Sequence, residues 1–261
     1  MTQVHPWTRY VAIGDSFTEG IGDPEPRSVG GHRGWADRVA EVLARSHDDF
    51  AYANLAVRGR LLQQIIDEQA GAAVALQPDL ITVSAGGNDI IRPGTDPDEV
   101  ASRMDGLVET LRSSNATVVL FTGPDIGHTP VLGRLRGKVA IYNENLHTVA
   151  AKHDAIIADM WALRELRDAR MWAPDRLHFS PLGHHTIARM VLSALNVPND
   201  LEPMQPEPLP RYSWRRARAD DIVWAREHFV PWVIRRIRHQ SSGDFITPKR
   251  PLPGSVRLED D

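Results

Sequence analysis

The chain of 261 residues predicts an α/β domain, and three observations carry that prediction. Short apolar runs recur between Tyr10 and Asp159, segments with apolar residues at helical spacing separate them, and the runs stop on glycine-rich polar turns. Strands alternating with helices make a sheet covered by helices. The length accommodates one such domain of about 200 residues plus an appendage, and the apolar fraction of 42% is ample for its core.

The first strand is the reference point for the rest. Val11, Ala12 and Ile13 suit a strand buried on both faces, and the run breaks at Gly14-Asp15-Ser16. Gly14 can take a backbone conformation closed to other residues, which leaves Ser16 at the strand's carboxyl end, the edge where open α/β sheets bind ligands. A serine after a turn is also an ordinary helix N-cap, so a nucleophile is read here only if a base and an oxyanion site follow.

Ile21 to Arg33, rich in glycine, proline and charge, reads as a surface loop beside Ser16, and His32 in it has no catalytic duty. Trp35 to Ala44 places Trp35, Val39, Val42 and Leu43 at helical spacing, and Phe50 to Leu55 is a second strand. Gly59 follows, ahead of a helix carrying Leu61, Leu62, Ile65 and Ile66. It either eases a turn or leaves its backbone N–H open to a developing oxyanion.

Asp79 to Ser84 is a third strand, ending in Ala85-Gly86-Gly87-Asn88-Asp89. Asn88 offers a neutral side-chain N–H donor or closes an Asx-turn, while Asp89 caps or braces the loop. Asp96 to Arg112 reads as a helix, Thr117 to Thr122 as a fourth strand, Leu135 to Lys152 as a helix and Ala155 to Asp159 as a short fifth strand. His128, in the loop after the fourth strand, reads as solvated.

The missing base lies in the loop Trp172 to His184, where Asp175 and His178 stand three residues apart. In a single-turn arc such residues face the same way, so Asp175 can accept from His178 Nδ1–H while Nε2 reaches Ser16. A helix-cap interaction is the competing explanation for the pair alone. The final helix, His184 to Leu195, is entered through Ser180-Pro181, and His184 reads as structural.

Taken together, Gly14-Asp15-Ser16, Gly59, Gly-Gly-Asn-Asp at 86 to 89 and Asp175-x-x-His178 resemble the SGNH hydrolases, the GDSL esterase/lipase family, over roughly residues 8 to 197. The resemblance implies a flavodoxin-like three-layer α/β/α sandwich with a five-stranded parallel sheet, and a serine mechanism on acyl esters. It makes Ser16 the nucleophile, His178 its base and Asp175 the orienting acid, with the Ser16 and Gly59 N–H groups and the Asn88 side chain as oxyanion donors. It requires no metal or organic cofactor. Phe179 follows His178 where proline is common in the family, a departure that touches no catalytic group.

The expected substrate is therefore a small or medium-chain acyl ester, of a carbohydrate or a lipid. Transfer of the acyl group to a sugar or other alcohol is the alternative, since both reactions share an acyl-enzyme. A catalytically idle binding module on the same scaffold is a third reading, opposed by the intact Ser, Gly, Asn, His and Asp.

Composition narrows the surroundings. A net charge of -4 does not point to nucleic acid or an anionic membrane as the main partner, and the absence of cysteine excludes disulfides and thiolate metal sites. The first residues lack a basic stretch followed by an apolar core and no apolar run reaches membrane-spanning length, so a cytoplasmic protein is expected.

Residues 1–197 are read as the hydrolase domain and 198–261 as an extension packed on it. Val197 to Pro210, with five prolines among acidic residues, reads as a linker. Arg211 to His239 is arginine-rich with Ile222, Val223, Phe229, Val230, Val233, Ile234 and Ile237 at helical spacing, interrupted by Pro231. Packing of that apolar face on the domain ranks first, a lid over the acyl pocket second, weak membrane-surface contact third, and nucleic-acid binding last for want of a motif. Gln240 to Asp261, polar and proline-rich, is expected to be irregular.

Overall fold

The computed structural model describes residues 5–129, 132–206, 208, 223–224, 226–227 and 243–256. The amphipathic segment expected over Arg211 to His239 falls outside the described residues, apart from Val223, Trp224, Arg226 and Glu227. Chain order gives β1 (Arg9–Gly14), α1 (Ser16–Glu19), α2 (Gly34–Ala44), β2 (Ala51–Asn54), α3 (Leu62–Ile65), α4 (Gly71–Ala75) and β3 (Leu80–Ser84). Then come α5 (Gly87–Ile90), α6 (Pro97–Arg112), β4 (Thr117–Phe121), α7 (Arg136–His153), β5 (Ile156–Ala158), α8 (Pro181–Ala194) and β6 (Arg250–Gly254).

The strands form one sheet in the order β5-β4-β3-β1-β2-β6. Pairing is parallel from β5 through β2, with Tyr10 beside Leu80 and Gly14 beside Ser84, so β1 lies inside the sheet and ends level with β3. Side-chain alternation then divides the core. Tyr10 and Ala12 join Trp35, Val39, Leu43, Ile187 and Val191 from α2 and α8, while Val11 and Ile13 join Met104, Leu107, Leu111 and Leu146 from α6 and α7. This is the expected three-layer α/β/α arrangement.

Local signals set the helix ends. Asp96 caps α6 by accepting from Asp98 N–H ahead of Pro97, and Ser180 caps α8 by accepting from Gly183 N–H ahead of Pro181. Each cap begins the helix at a fixed residue, and the second therefore sets where the loop carrying His178 must stop.

The expected sheet of five parallel strands gains a sixth, and the expected irregular tail contains it. β6 runs antiparallel along β2, pairing Tyr52 with Gly254 and Asn54 with Arg250 across a bulge. Its sequence, Arg-Pro-Leu-Pro-Gly, argues against a strand in a sheet interior, because proline cannot donate to the ladder. At an edge the objection falls away, since one side of the strand needs no donors.

Burial fixes β6 in place. Lys249 Nζ donates to Asp37 Oδ2 at 2.7 Å and to the carbonyl of His32 at 2.9 Å, with both charged side chains only 4% exposed, and Val256 enters the core beside α2. Lys249→Met is expected to lower stability by about 3 kcal/mol, because it strands the Asp37 carboxylate in the interior. Urea unfolding measures this, and an unchanged midpoint would show that the Lys249–Asp37 pair contributes nothing to stability.

Candidate active site

The corner between β1 and α1 is built by sterics and two hydrogen bonds. Gly14 has φ +151°, and a Cβ there would lie 2.5 Å from the Ser84 carbonyl oxygen, so no side chain fits. Buried Gln69 accepts from Gly14 N–H at 2.8 Å and donates to Gly14 C=O at 2.9 Å. Asp15 then caps α1, its Oδ1 accepting from Phe17 N–H at 3.1 Å, and Ser16 is the first helical residue.

The loop ahead of α8 brings the other two residues to Ser16. Ala173 N–H donates to His178 C=O and Ser180 N–H to Met171 C=O, both at 2.8 Å, closing a tight excursion between them. Inside it Asp175 Oδ1 accepts from the N–H groups of Leu177 and His178 at 3.0 Å each. Asp175 Oδ2 lies 2.5 Å from His178 Nδ1, and His178 Nε2 lies 3.0 Å from Ser16 Oγ. With Nδ1–H donating to the carboxylate, Nε2 is the acceptor for the Ser16 hydroxyl.

Burial would raise the Asp175 carboxyl, but the hydrogen bond and charge of His178 and the two backbone donors outweigh it and hold it at about 2. Asp15 has fewer compensating donors. Burial pushes it up to about 6 against the pull of Phe17 N–H, His178 and Asn88.

Among the described residues neither Ser16 N–H nor Gly59 N–H donates to a protein acceptor. Gly59, at φ +76°, sits between two tethered neighbours. Arg58 N–H donates to Glu19 Oε2 at 2.7 Å while its guanidinium pairs with the same carboxylate, and Arg60 C=O accepts from Asn88 Nδ2 at 3.1 Å.

Asn88 therefore arrives beside Ser16, but its amide is engaged: Nδ2 also donates to Asp15 Oδ2 at 3.0 Å. To contact an oxyanion it has to exchange one of these partners. Asp89 braces the loop as expected, accepting from Leu62 N–H at 2.9 Å.

Ser16, Asn88 and His178 open onto a cavity of about 190 Å³ whose walls are largely apolar, among them Phe17, Phe121, Ile126, Leu135, Met160 and Trp172. Phe179 is buried against Trp172 and Phe17, with ring centroids at 4.5 and 5.5 Å, so the residue after His178 ties the histidine loop into the cavity wall. Asp125, between the lining residues Pro124 and Ile126, gathers Arg136, Arg164 and Arg167. The hydrogen bond from Arg136 leads in holding its carboxyl well below the usual range.

Two further histidines, His184 and His128, take structural or peripheral places. His184 is fully buried, accepts from Trp35 N–H at Nδ1 and lies 3.1 Å from Ile21 C=O at Nε2, and burial lowers it to about 4. It is neutral and structural. His128 is exposed and does not line the cavity.

Three contributors were not singled out by the sequence. Gln69 and Glu19 read as unremarkable polar residues, because what identifies them is a buried backbone partner across the fold. Trp224 donates from Nε1 to the Asp175 carbonyl at 2.8 Å and lies under the Arg176 guanidinium, 5.0 Å from ring to charge. No metal-binding group of three or more His, Asp or Glu occurs among the described residues, and no helix among them is long and apolar enough to cross a membrane.

A layered α/β fold with a serine, histidine and aspartate aligned at its sheet edge defines a serine hydrolase. The model of the GDSL-like Lipase/Acylhydrolase family matches residues 12–186, and the chain belongs to that family of ester hydrolases. It is 24% identical over 185 residues to GDSL esterase/lipase WDL1 of Oryza sativa subsp. japonica, covering 62% of this chain and 70% of that one. It is 30% identical over 142 residues to a multidomain esterase of Ruminococcus flavefaciens, covering 49% of this chain and 18% of that protein.

Among solved structures, the acetylxylan esterase Axe2 from Geobacillus stearothermophilus superposes with a TM-score of 0.59 at 18% identity, over 74% of this chain and 96% of the other. LAE5, an alpha/beta hydrolase from the metagenome of Lake Arreo, gives 0.61 at 21% identity, over 74% and 97%. These two likenesses establish the fold.

Asp175→Asn is expected to lower kcat on the order of 10³ to 10⁴ fold, because the imidazole loses the acceptor that fixes its tautomer. The Asp175 carboxyl is depressed to about 2, so its stabilising contribution is present above its ordinary value near 4 and lost as the pH falls toward 2. The variant should thus be less stable than wild type by on the order of 1 to 2 kcal/mol at pH 7, with most of that gap gone at pH 2. Ester kinetics and melts at the two pH values check both parts, and a stability gap independent of pH would refute the linkage.

Proposed function

We propose that the protein hydrolyses esters of hydrophobic short- to medium-chain acyl groups through an acyl-enzyme on Ser16. The observation that carries this reading is His178, placed between Ser16 Oγ and the Asp175 carboxylate at the mouth of an apolar cavity. Ser16 Oγ attacks the ester carbonyl while His178 Nε2 takes its proton. Negative charge develops on the carbonyl oxygen, which the N–H groups of Ser16 and Gly59 are free to meet. Asn88 adds a third donor by releasing Asp15 or Arg60.

Collapse of the tetrahedral intermediate expels the alcohol, protonated by His178. Water, with its proton taken by the same nitrogen, then releases the acid. An acceptor alcohol in place of water would make the reaction an acyl transfer. Asp175 keeps the imidazole oriented and balances its charge in both halves.

Volume supports the acyl length. An apolar cavity of about 150 Å³ takes a six-carbon ring such as benzene. A cavity of about 190 Å³ therefore suits roughly six to eight carbons, with palmitate far too long to enter whole.

Across p-nitrophenyl esters from acetate to palmitate, kcat/KM is expected to peak at hexanoate or octanoate, to be abolished in Ser16→Ala, and to be unchanged by an added sugar acceptor. A fluorophosphonate should label Ser16. An optimum at acetate or palmitate would refute the acyl assignment, an acceptor-dependent loss of free acid would favour transfer, and labelling elsewhere would refute the nucleophile.

A further inference from the structure

The loop that carries Gly59 is held by two groups to which the reaction scheme assigns no part. Glu19 lies three residues after Ser16 at the end of α1, and its side chain is only 6% exposed. Its carboxylate accepts from Arg58 N–H at 2.7 Å and from Arg58 Nε at 3.0 Å, and it also pairs with the terminal guanidinium nitrogen. One turn of helix thus connects the serine to the loop that faces it.

The second group comes from the chain's last segment, outside residues 12–186 matched by the family. Gly243 is buried, and a Cβ built on it would lie 2.0 Å from the Arg58 carbonyl oxygen and 3.0 Å from Val57 Cγ1. The Arg58 carbonyl therefore excludes a side chain at this position. Ile246 N–H closes a turn onto Gly243 C=O at 3.1 Å, Asp244 lies 3.8 Å from Arg60 Nη1, and buried Lys249 and strand β6 anchor the chain a few residues on.

The Arg58 carbonyl and the Gly59 N–H belong to one planar peptide unit. A displacement of that oxygen therefore turns the N–H with it. We propose that Glu19 and Gly243 are positioning residues for catalysis: Glu19 fixes the amide of Arg58 and Gly243 fixes its carbonyl, which together aim the Gly59 N–H at the oxyanion. This rests on the reading of Gly59 as an oxyanion donor. It makes the C-terminal turn part of the catalytic apparatus, although it contributes no reacting group.

The test uses the full chain with Gly243→Ala, Glu19→Gln and, as a control, Gly254→Ala in β6, where an added Cβ meets nothing within 4 Å. Each is assayed for kcat and KM on p-nitrophenyl hexanoate, for inhibition by an alkyl boronic acid that forms a tetrahedral adduct at serine, and for its melting temperature. A misaimed donor costs transition-state stabilisation, so Gly243→Ala and Glu19→Gln should each lose about 10- to 100-fold in kcat, with KM held within about twofold. Boronate affinity should fall in parallel, and Gly254→Ala should match wild type.

A merely structural role would lower the melting temperature without moving boronate affinity, and that result overturns the proposal. So does either folded variant with wild-type kcat. Should Gly243→Ala not fold, Glu19→Gln, which preserves shape, decides by the same criteria. Failure of the underlying functional reading is separately visible, because the wild type would then turn over no ester and bind no boronate.

Discussion

Everything at the site depends on a strand buried on both faces having to end abruptly. β1 lies inside the sheet with helices above and below, so the chain can leave it only at its end, and the exit is a corner too tight for any residue but glycine at position 14. Gln69 occupies both backbone hydrogen-bonding groups of that glycine, which removes the alternative of a frayed end. Ser16 is consequently placed by the core itself. The loops after β2 and β3 emerge beside it because those strands are its neighbours in the sheet.

The two carboxylates closest to the chemistry show how environment divides their roles. Asp175 is surrounded by donors, two backbone N–H groups and an imidazole, and stays ionised at about 2. Asp15 lies deeper with less compensation and is raised to about 6. An ionised Asp175 can balance a positive charge on the His178 ring it pairs with. Asp15 works as a scaffold, capping α1 with one oxygen and holding Asn88 with the other. Asn88, bonded on to Arg60 C=O, thus ties the serine corner to the Gly59 loop before any substrate arrives.

Legibility in the sequence followed the range of the interactions. The five parallel strands, the start of α6 at Asp96, and the convergence of Ser16, Asp175 and His178 could be anticipated because each depends on spacing or on turn chemistry within a few residues. Glu19, Gln69 and β6 could not, because their partners lie far away in sequence: Arg58, Gly14 and β2. The alternating prolines of β6 were misleading in a specific way. Proline lowers strand propensity in general, whereas an edge strand with one unpaired side tolerates it, and no local pattern says where the edge of a sheet falls.

The same strand explains why fold and site are not separable along the chain. Without β6, β2 would present an open edge of unpaired N–H and C=O groups, and Asp37 would be buried without a cation. Covering that edge brings the tail back across the molecule, and the turn at Gly243 lies against Arg58 where the tail approaches it. Trp224, from the same extension, reaches the Asp175 carbonyl on the histidine loop. The extension therefore touches both the loop that carries Asp175 and His178 and the loop that carries Gly59. A tail recruited only to protect an edge would have needed neither contact, so the geometry favours an extension that stabilises the sheet and braces these two loops through the same few residues.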